Sequence, residues 1–386
     1  MRQQKLMIVV SGMIAGDPCQ GGATWAVLQY VLWLRQLGHD VLFVEPVAPK
    51  SLRPAGAALG ESTNAAYFRQ VAADFGLKGA AALLEPGSRE TVGLSYQELQ
   101  RRALHADLLM NISGMLADEE LTGRIPVRVY LDLDPAFNQF WATQGIDMHF
   151  EGHTHFVTIG LAIGEEECPV PTCGRQWITT LQPIVLSHWP VVERIEYDGL
   201  TTIGNWRGYG SIEHEGVFYG QKAHSLRRCI ELPTRTSEKL MPALAIHAGE
   251  EKDLAALSDN GWQVLDPVAV AGTPQSYQRF IQGSKAEFGI AKSGYVVSRC
   301  GWFSDRSICY LASGRPVIAQ ETGFGRFLPT GKGLFAFDTV DDVLAAIGAM
   351  NADYRYHAQA ARAIAEEHFD SDKVLGRLLH RLGAGL

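Results

Sequence analysis

The chain has 386 residues, 46% hydrophobic and 20% charged, with a formal net charge of −8. That length exceeds one ordinary core and predicts two domains of a globular protein. The acidic balance leaves no electrostatic footprint for nucleic acid or an anionic membrane, and no apolar run is long enough for a transmembrane helix.

The first half alternates strand and helix. Leu6–Val10 is a short apolar strand, too short for a secretory core, and it ends in a Gly/Ser turn. Gly12, Gly16, Gly21 and Gly22 then form a loop in which the backbone can approach a ligand closely. Their spacing is not that of a dinucleotide fingerprint. Helical periodicity over Ala23–Leu37 closes at Gly38, and Val41–Val44 is the next strand. Helices near Ala65–Phe75 and Tyr96–Ala106, and strands near Ala82–Leu84, Leu108–Ile112 and Val127–Leu131, continue the pattern. Such alternation predicts a parallel sheet with right-handed crossovers.

Asp132-Leu133-Asp134-Pro135 follows the last of these strands. Three roles are open: a metal-binding Asp-x-Asp, a carboxylate facing an acceptor as base or electrostatic partner, or a cap for a helix through Phe137 and Phe140. His149, His153 and His155 lie close together, with Cys168 and Cys173 beyond. Their spacing is not that of a compact zinc site, so no metal is expected, and His153 or His155 is a candidate acceptor-facing histidine. The six scattered cysteines fit a reducing cytoplasm.

A hinge is expected between Trp189-Pro190 and Tyr197-Asp198-Gly199. Strands at Thr201–Ile203, Ala243–Ile246, Gln263–Leu265 and Glu287–Ala291 then repeat the alternation, and Ala358–Glu367 and Lys373–Leu382 are amphipathic helices. Between them lies the most informative segment, Val297–Gly325. Ser298 to Ser304 form a polar turn around Gly301; Ser304, Asp305 and Ser307 suit a helix start; Gly314 suits its end; and Val317-Ile318-Ala319 is a buried strand. A helix that begins after such a turn aims unpaired N–H groups and a positive dipole end at a phosphate.

Arg299-Cys300-Gly301-Trp302-Phe303-Ser304 resembles the His-Cys-Gly-Trp-Asn-Ser run of nucleotide-sugar-dependent glycosyltransferases of the GT-B fold. Ala312-Ser313-Gly314-Arg315-Pro316-Val317 is similar to the segment that follows there. Two positions depart: Arg299 replaces the histidine, and Cys309 stands where a ribose-binding glutamate is usual, leaving Asp305 or Ser307 for that task. The resemblance implies an α/β protein of two Rossmann-like domains facing across a cleft, 1–198 on the acceptor side and 199–370 on the donor side. A segment 371–386 would pack back onto the first domain.

The resemblance also implies a metal-independent, cofactor-free transfer of sugar from a nucleoside-diphosphate sugar to an unidentified acceptor hydroxyl. The donor would meet Gly21 and Gly22 across the cleft, Arg207 and Lys222 as paired cations, and Ser298, Arg299, Gly301, Trp302, Phe303, Ser304, Asp305, Arg306 and Ser307 of the turn and helix. Thr322 and Gly323 would lie near the sugar, with Asp134, Asp132 and His153 as catalytic candidates. A nucleotide-sugar epimerase and a non-catalytic nucleotide-sugar-binding protein are the alternatives.

Overall fold

A computed structural model describes residues 5–383; the ends of the expected first domain and C-terminal segment, 1–4 and 384–386, lie outside the described residues. The fold is built on two sheets, each with helices on both faces. The first holds β1 (Met7–Ser11), β2 (Asp40–Pro46), β3 (Ala81–Leu84), β4 (Thr91–Gly93), β5 (Leu108–Ile112), β6 (Val127–Asp132), β7 (His155–Thr158) and β8 (Trp177–Thr179). Their spatial order is β4-β3-β2-β1-β5-β6-β7-β8, and every pairing is parallel except β3 with β4. Parallel strands covered on both faces need continuous apolar runs, which β1, β3 and β5 supply.

The second sheet contains β9 (Tyr197–Asn205), β12 (Leu240–Ala245), β13 (Ser284–Gly289), β14 (Val317–Gln320) and β15 (Leu334–Phe337). It is wholly parallel, in the order β12-β9-β13-β14-β15. A small antiparallel hairpin, β10 (Ile212–His214) and β11 (Val217–Tyr219), leaves the end of β9 and packs on the first half. There Phe140 meets His214 and Tyr219, with ring centroids 4.9 and 4.2 Å apart.

Three sequence expectations are corrected. Gln263–Leu265 is no strand; only Leu265 bridges, to Ala243, because the chain enters a helix cap at Asp266 immediately afterwards. The expected start of the second domain at residue 199 falls inside β9, which begins at Tyr197. The helix after Asp134 runs Phe137–Thr143 behind Ala136 in a positive-φ conformation, so its cap position is Ala136 and neither aspartate caps it.

Two joints hold the halves together. Helix Gly21–Gln36 of the first half packs on helix Pro274–Gly283 of the second, and the Trp25 indole donates 2.8 Å to the Pro274 carbonyl. The last helix, Ser371–Arg381, returns to the first half: Trp33 Nε1 donates to Asp372 at 2.6 Å, and the Ile184 backbone bridges Asp370. One apolar cluster runs through both joints, from Ile8 and Trp33 to Leu311, Phe369 and Leu379.

Candidate active site

The carboxyl ends of the two sheets face one another, where open α/β sheets place their ligands. Between them lies a cavity of about 530 Å³. From the first half it receives Gly22 and Ala23 at the start of a helix, Ser113 after β5, Asp134 after β6 and Ile159 after β7. From the second it receives Asn205 at the end of β9, Lys222, Lys292 after β13, and Ser304 to Arg306 at the start of helix Asp305–Ala312. A second compartment of about 210 Å³ adjoins it, walled by Gly21, Ala245, Pro267, Val268 and Ala271. Asn205, Tyr277, Asp305 and Arg306 border both spaces.

Two helix N-termini open onto this junction. Gln20 and Ser304, the residues before them, make no side-chain cap, so the first-turn N–H groups have no side-chain acceptor there. Gly21 and Gly22 are required by the joint itself. A Cβ on Gly21 would stand 2.3 Å from the Thr273 carbonyl oxygen, and one on Gly22 would stand 2.8 Å from the Tyr277 ring.

Lys222 is the decisive charge. It is 9% exposed and lines the larger cavity, and among the described residues no carboxylate lies within 4.0 Å of its ammonium. Its Nζ lies over Gly204, where a Cβ would stand 2.3 Å from it. Burial pushes its pKa well below 10.5, and the nearby Arg306 and Lys292 charges push the same way, against Glu287 and Asp305. Arg306 differs, because Glu287 holds its Nε at 2.5 Å and the Ile203 carbonyl takes Nη1 at 2.8 Å. Burial raises the Asp305 carboxyl despite Arg306 beside it. Asp305 faces both compartments, whereas Ser307 faces neither.

The expected second cation is replaced by another. Arg207 turns outward to an ion pair with Glu250, and Lys292 lies in the cavity instead. The Lys292 ammonium donates 3.1 Å to both Asp134 oxygens and also to Tyr209, and it sits 4.0 Å over the Tyr209 ring. Tyr209 and Tyr295 donate their hydroxyls to the same Asp134 carboxylate. Sequence reading missed Lys292, Tyr209 and Tyr295. The one local signal is a lysine directly after an apolar strand, and their common partner is 75 to 161 residues away.

The signature turn is divided. Trp302 and Ser304 reach the cavity, Trp302 stacked 4.2 Å on Tyr295. Arg299 is a left-handed helix end whose guanidinium lies 3.7 Å from Asp338, away from the cavity. Ser298 and Phe303 are core residues, and Gly301 approaches the Ala162 backbone. Thr322 donates to the Trp302 carbonyl, and Gly323 lies on the Arg299 carbonyl, so both buttress the turn from behind.

Asp132 and His153 are likewise outside the cavity. Asp132 is fully buried and accepts from Asn138 at 2.7 Å, Gln139 at 2.8 Å, Thr158 at 2.8 Å and the Asp134 backbone at 3.0 Å. Both its oxygens are engaged, and burial lifts its pKa to about 6. His153 pairs with Asn111 at 3.0 Å and packs on Tyr130. Asp134 alone of the three catalytic candidates faces the cleft.

These placements order the arginine variants. Arg207→Ala and Arg299→Ala are expected to change nucleoside diphosphate affinity less than about twofold, since exposed ion pairs contribute little. Arg306→Ala is expected to lower stability by about 3–5 kcal/mol, because it strands Glu287 as a buried unpaired charge. Titration calorimetry and thermal unfolding separate the two classes.

No protein-family model matches the sequence, and no curated protein does. The structure is similar to an alpha-glucosyltransferase in complex with UDP-glucose and abasic-site DNA, at TM-score 0.61 and 12% identity over 98% of this chain and 100% of the other. The same values hold for Anabaena Alr3699/HepE in complex with UDP-glucose. The lipopolysaccharide outer core galactosyltransferase WaaB matches at TM-score 0.52 and 11% identity, over 97% of this chain and 99% of the other. The likeness extends over nearly the whole length of each chain, and this chain has the GT-B fold.

Proposed function

We propose that this protein is a glycosyltransferase that moves a sugar from a nucleoside-diphosphate sugar to an acceptor hydroxyl. The observation that carries the reading is Lys222: a buried ammonium with no carboxylate partner among the described residues, in a cavity onto which two helix starts without side-chain caps open. A diphosphate supplies the charge this arrangement lacks. The nucleoside would occupy the smaller compartment against Pro267–Ala271, with Asp305 accepting from the ribose hydroxyls in the role that Cys309 cannot fill. The sugar would extend into the larger cavity toward Trp302 and Asp134, which the acceptor reaches from the first half.

As the glycosidic bond breaks, negative charge gathers on the leaving diphosphate. Fixed positive groups already aimed there lower the barrier without reorganising. Lys222, Arg306 and the Asp305–Ala312 helix end supply them from the protein, so this reading assigns no metal. Asp134 is the carboxylate placed to accept the acceptor hydroxyl's proton or to stabilise positive charge on the sugar. The net charge of −8 supports an acceptor other than nucleic acid, and six unpaired cysteines support a cytoplasmic setting. Among the described residues no helix is long and apolar enough to cross a membrane. We divide the chain near residue 197, with 371–383 returning to the first domain.

Calorimetric titration with UDP, GDP and ADP tests the proposal. At least one is expected to bind with a dissociation constant in about the micromolar range typical of substrates. Binding by none of the three would remove the donor reading.

A further inference from the structure

One carboxylate in the cleft takes hydrogen bonds from three side chains at once. Asp134 belongs to the first half, yet its side-chain partners Lys292, Tyr209 and Tyr295 all come from the second. Both Asp134 and Lys292 line the cavity, and each side chain is less than a quarter exposed. The pair therefore lies inside the space proposed for the sugar and acceptor.

We propose that Lys292 is a donor-sensing residue that leaves Asp134 for the phosphate end of the donor, freeing the carboxylate for the acceptor. This inference rests on the glycosyl-transfer reading of the same cleft. Two features let the exchange happen without disordering the site. The Lys292 ammonium also rests on the faces of Tyr209, Phe137 and Tyr295, at 4.0, 4.9 and 5.2 Å, so Asp134 is not its sole support in the cleft. Asp134 keeps two tyrosine hydroxyls, so it remains fixed after the lysine departs.

Electrostatics supplies the driving force. Lys222 and Lys292 repel each other within the cavity, and Asp134 compensates only the second. A diphosphate compensates both. Once Lys292 has moved, Asp134 is left without a cationic partner among the described residues and its oxygens can take the acceptor hydroxyl. The carboxylate is then freed only when donor is present.

The exchange predicts an unusual sign. A donor must compete with Asp134 for Lys292, so removing the carboxylate should improve donor binding. With UDP, GDP and ADP as probes, Asp134→Asn and Asp134→Ala are each expected to tighten the best binder by roughly tenfold, the scale of a charge-assisted contact. Lys292→Met is expected to weaken it by a similar factor, and Asp134→Asn combined with Lys292→Met should bind no more tightly than Lys292→Met alone. A purely structural bridge between the halves would give unchanged or weaker binding in the folded Asp134 variants, and that result overturns the exchange while leaving the donor site intact. Tightening that persists in the double variant also overturns it, because Lys292 would not be its cause. Absence of binding in the wild-type protein removes both readings together.

Discussion

Lys222→Met is expected to weaken nucleoside diphosphate binding by roughly 100-fold, as loss of a buried charge-assisted contact requires. The same substitution is expected to stabilise the protein without nucleotide by about 1–3 kcal/mol, because an unpaired buried ammonium is replaced by an apolar side chain of similar length. A structural lysine would behave oppositely, since its loss lowers stability and leaves binding alone. The pH dependence has a definite sign. With a folded-state pKa below 10.5, the unfolded chain binds the proton more tightly, so stability rises with pH between the two values. Lys222→Met should remove that slope. Diphosphate favours the charged form, so binding should take up protons and weaken as pH rises through the folded-state pKa of Lys222. Calorimetry in buffers of different ionisation enthalpy measures the uptake, and equal heats in all of them would place the ammonium away from the diphosphate.

The architecture was legible because parallel strands buried on both faces are continuous apolar runs. Leu108–Ile112 was placed to the residue, and the helix and strand of the signature segment to within one. Strands β4, β7, β8, β10, β11 and β15 were not, since three or four residues acquire strand geometry from a neighbour's register more than from their own pattern. The site was legible only where local chain direction decides it. Ser304 to Arg306 begin a helix, and a helix start points one way. Arg299 sits five residues before Ser304 in the same motif, but its left-handed backbone sends the side chain to Asp338. The Arg207 and Lys222 pair failed for a related reason. The β10–β11 hairpin between them separates their directions, leaving Arg207 to Glu250 and the second position to Lys292. Asp132 is the last residue of β6 and points into the core, whereas Asp134 lies past the strand end, where the two-residue alternation no longer holds, and faces the cleft.

Gly21→Ala sets two effects of opposite sign against each other. In a free helix the change favours folding by up to about 1 kcal/mol, since alanine is the better helix former. Here the added methyl meets the carbonyl oxygens of Thr273 and Ala271 at 2.3 and 2.6 Å, and these are backbone atoms at a helix cap that cannot rotate away. Overpacking of this kind costs about 1–3 kcal/mol, so the net expectation is a loss of stability. The functional loss should be larger than the stability loss. Relief of the clash pushes the Gly21–Gln36 helix off the second half, and that helix start borders both compartments. Nucleoside diphosphate affinity should therefore fall by roughly tenfold or more in protein that is still folded, since a displacement near 1 Å is enough to break a positioned site. Gly210→Ala is the control, because a Cβ there meets nothing within 4 Å. If Gly21→Ala unfolds later than wild type and binds nucleotide equally well, the two halves do not meet at this glycine, and the cleft is not assembled by that contact.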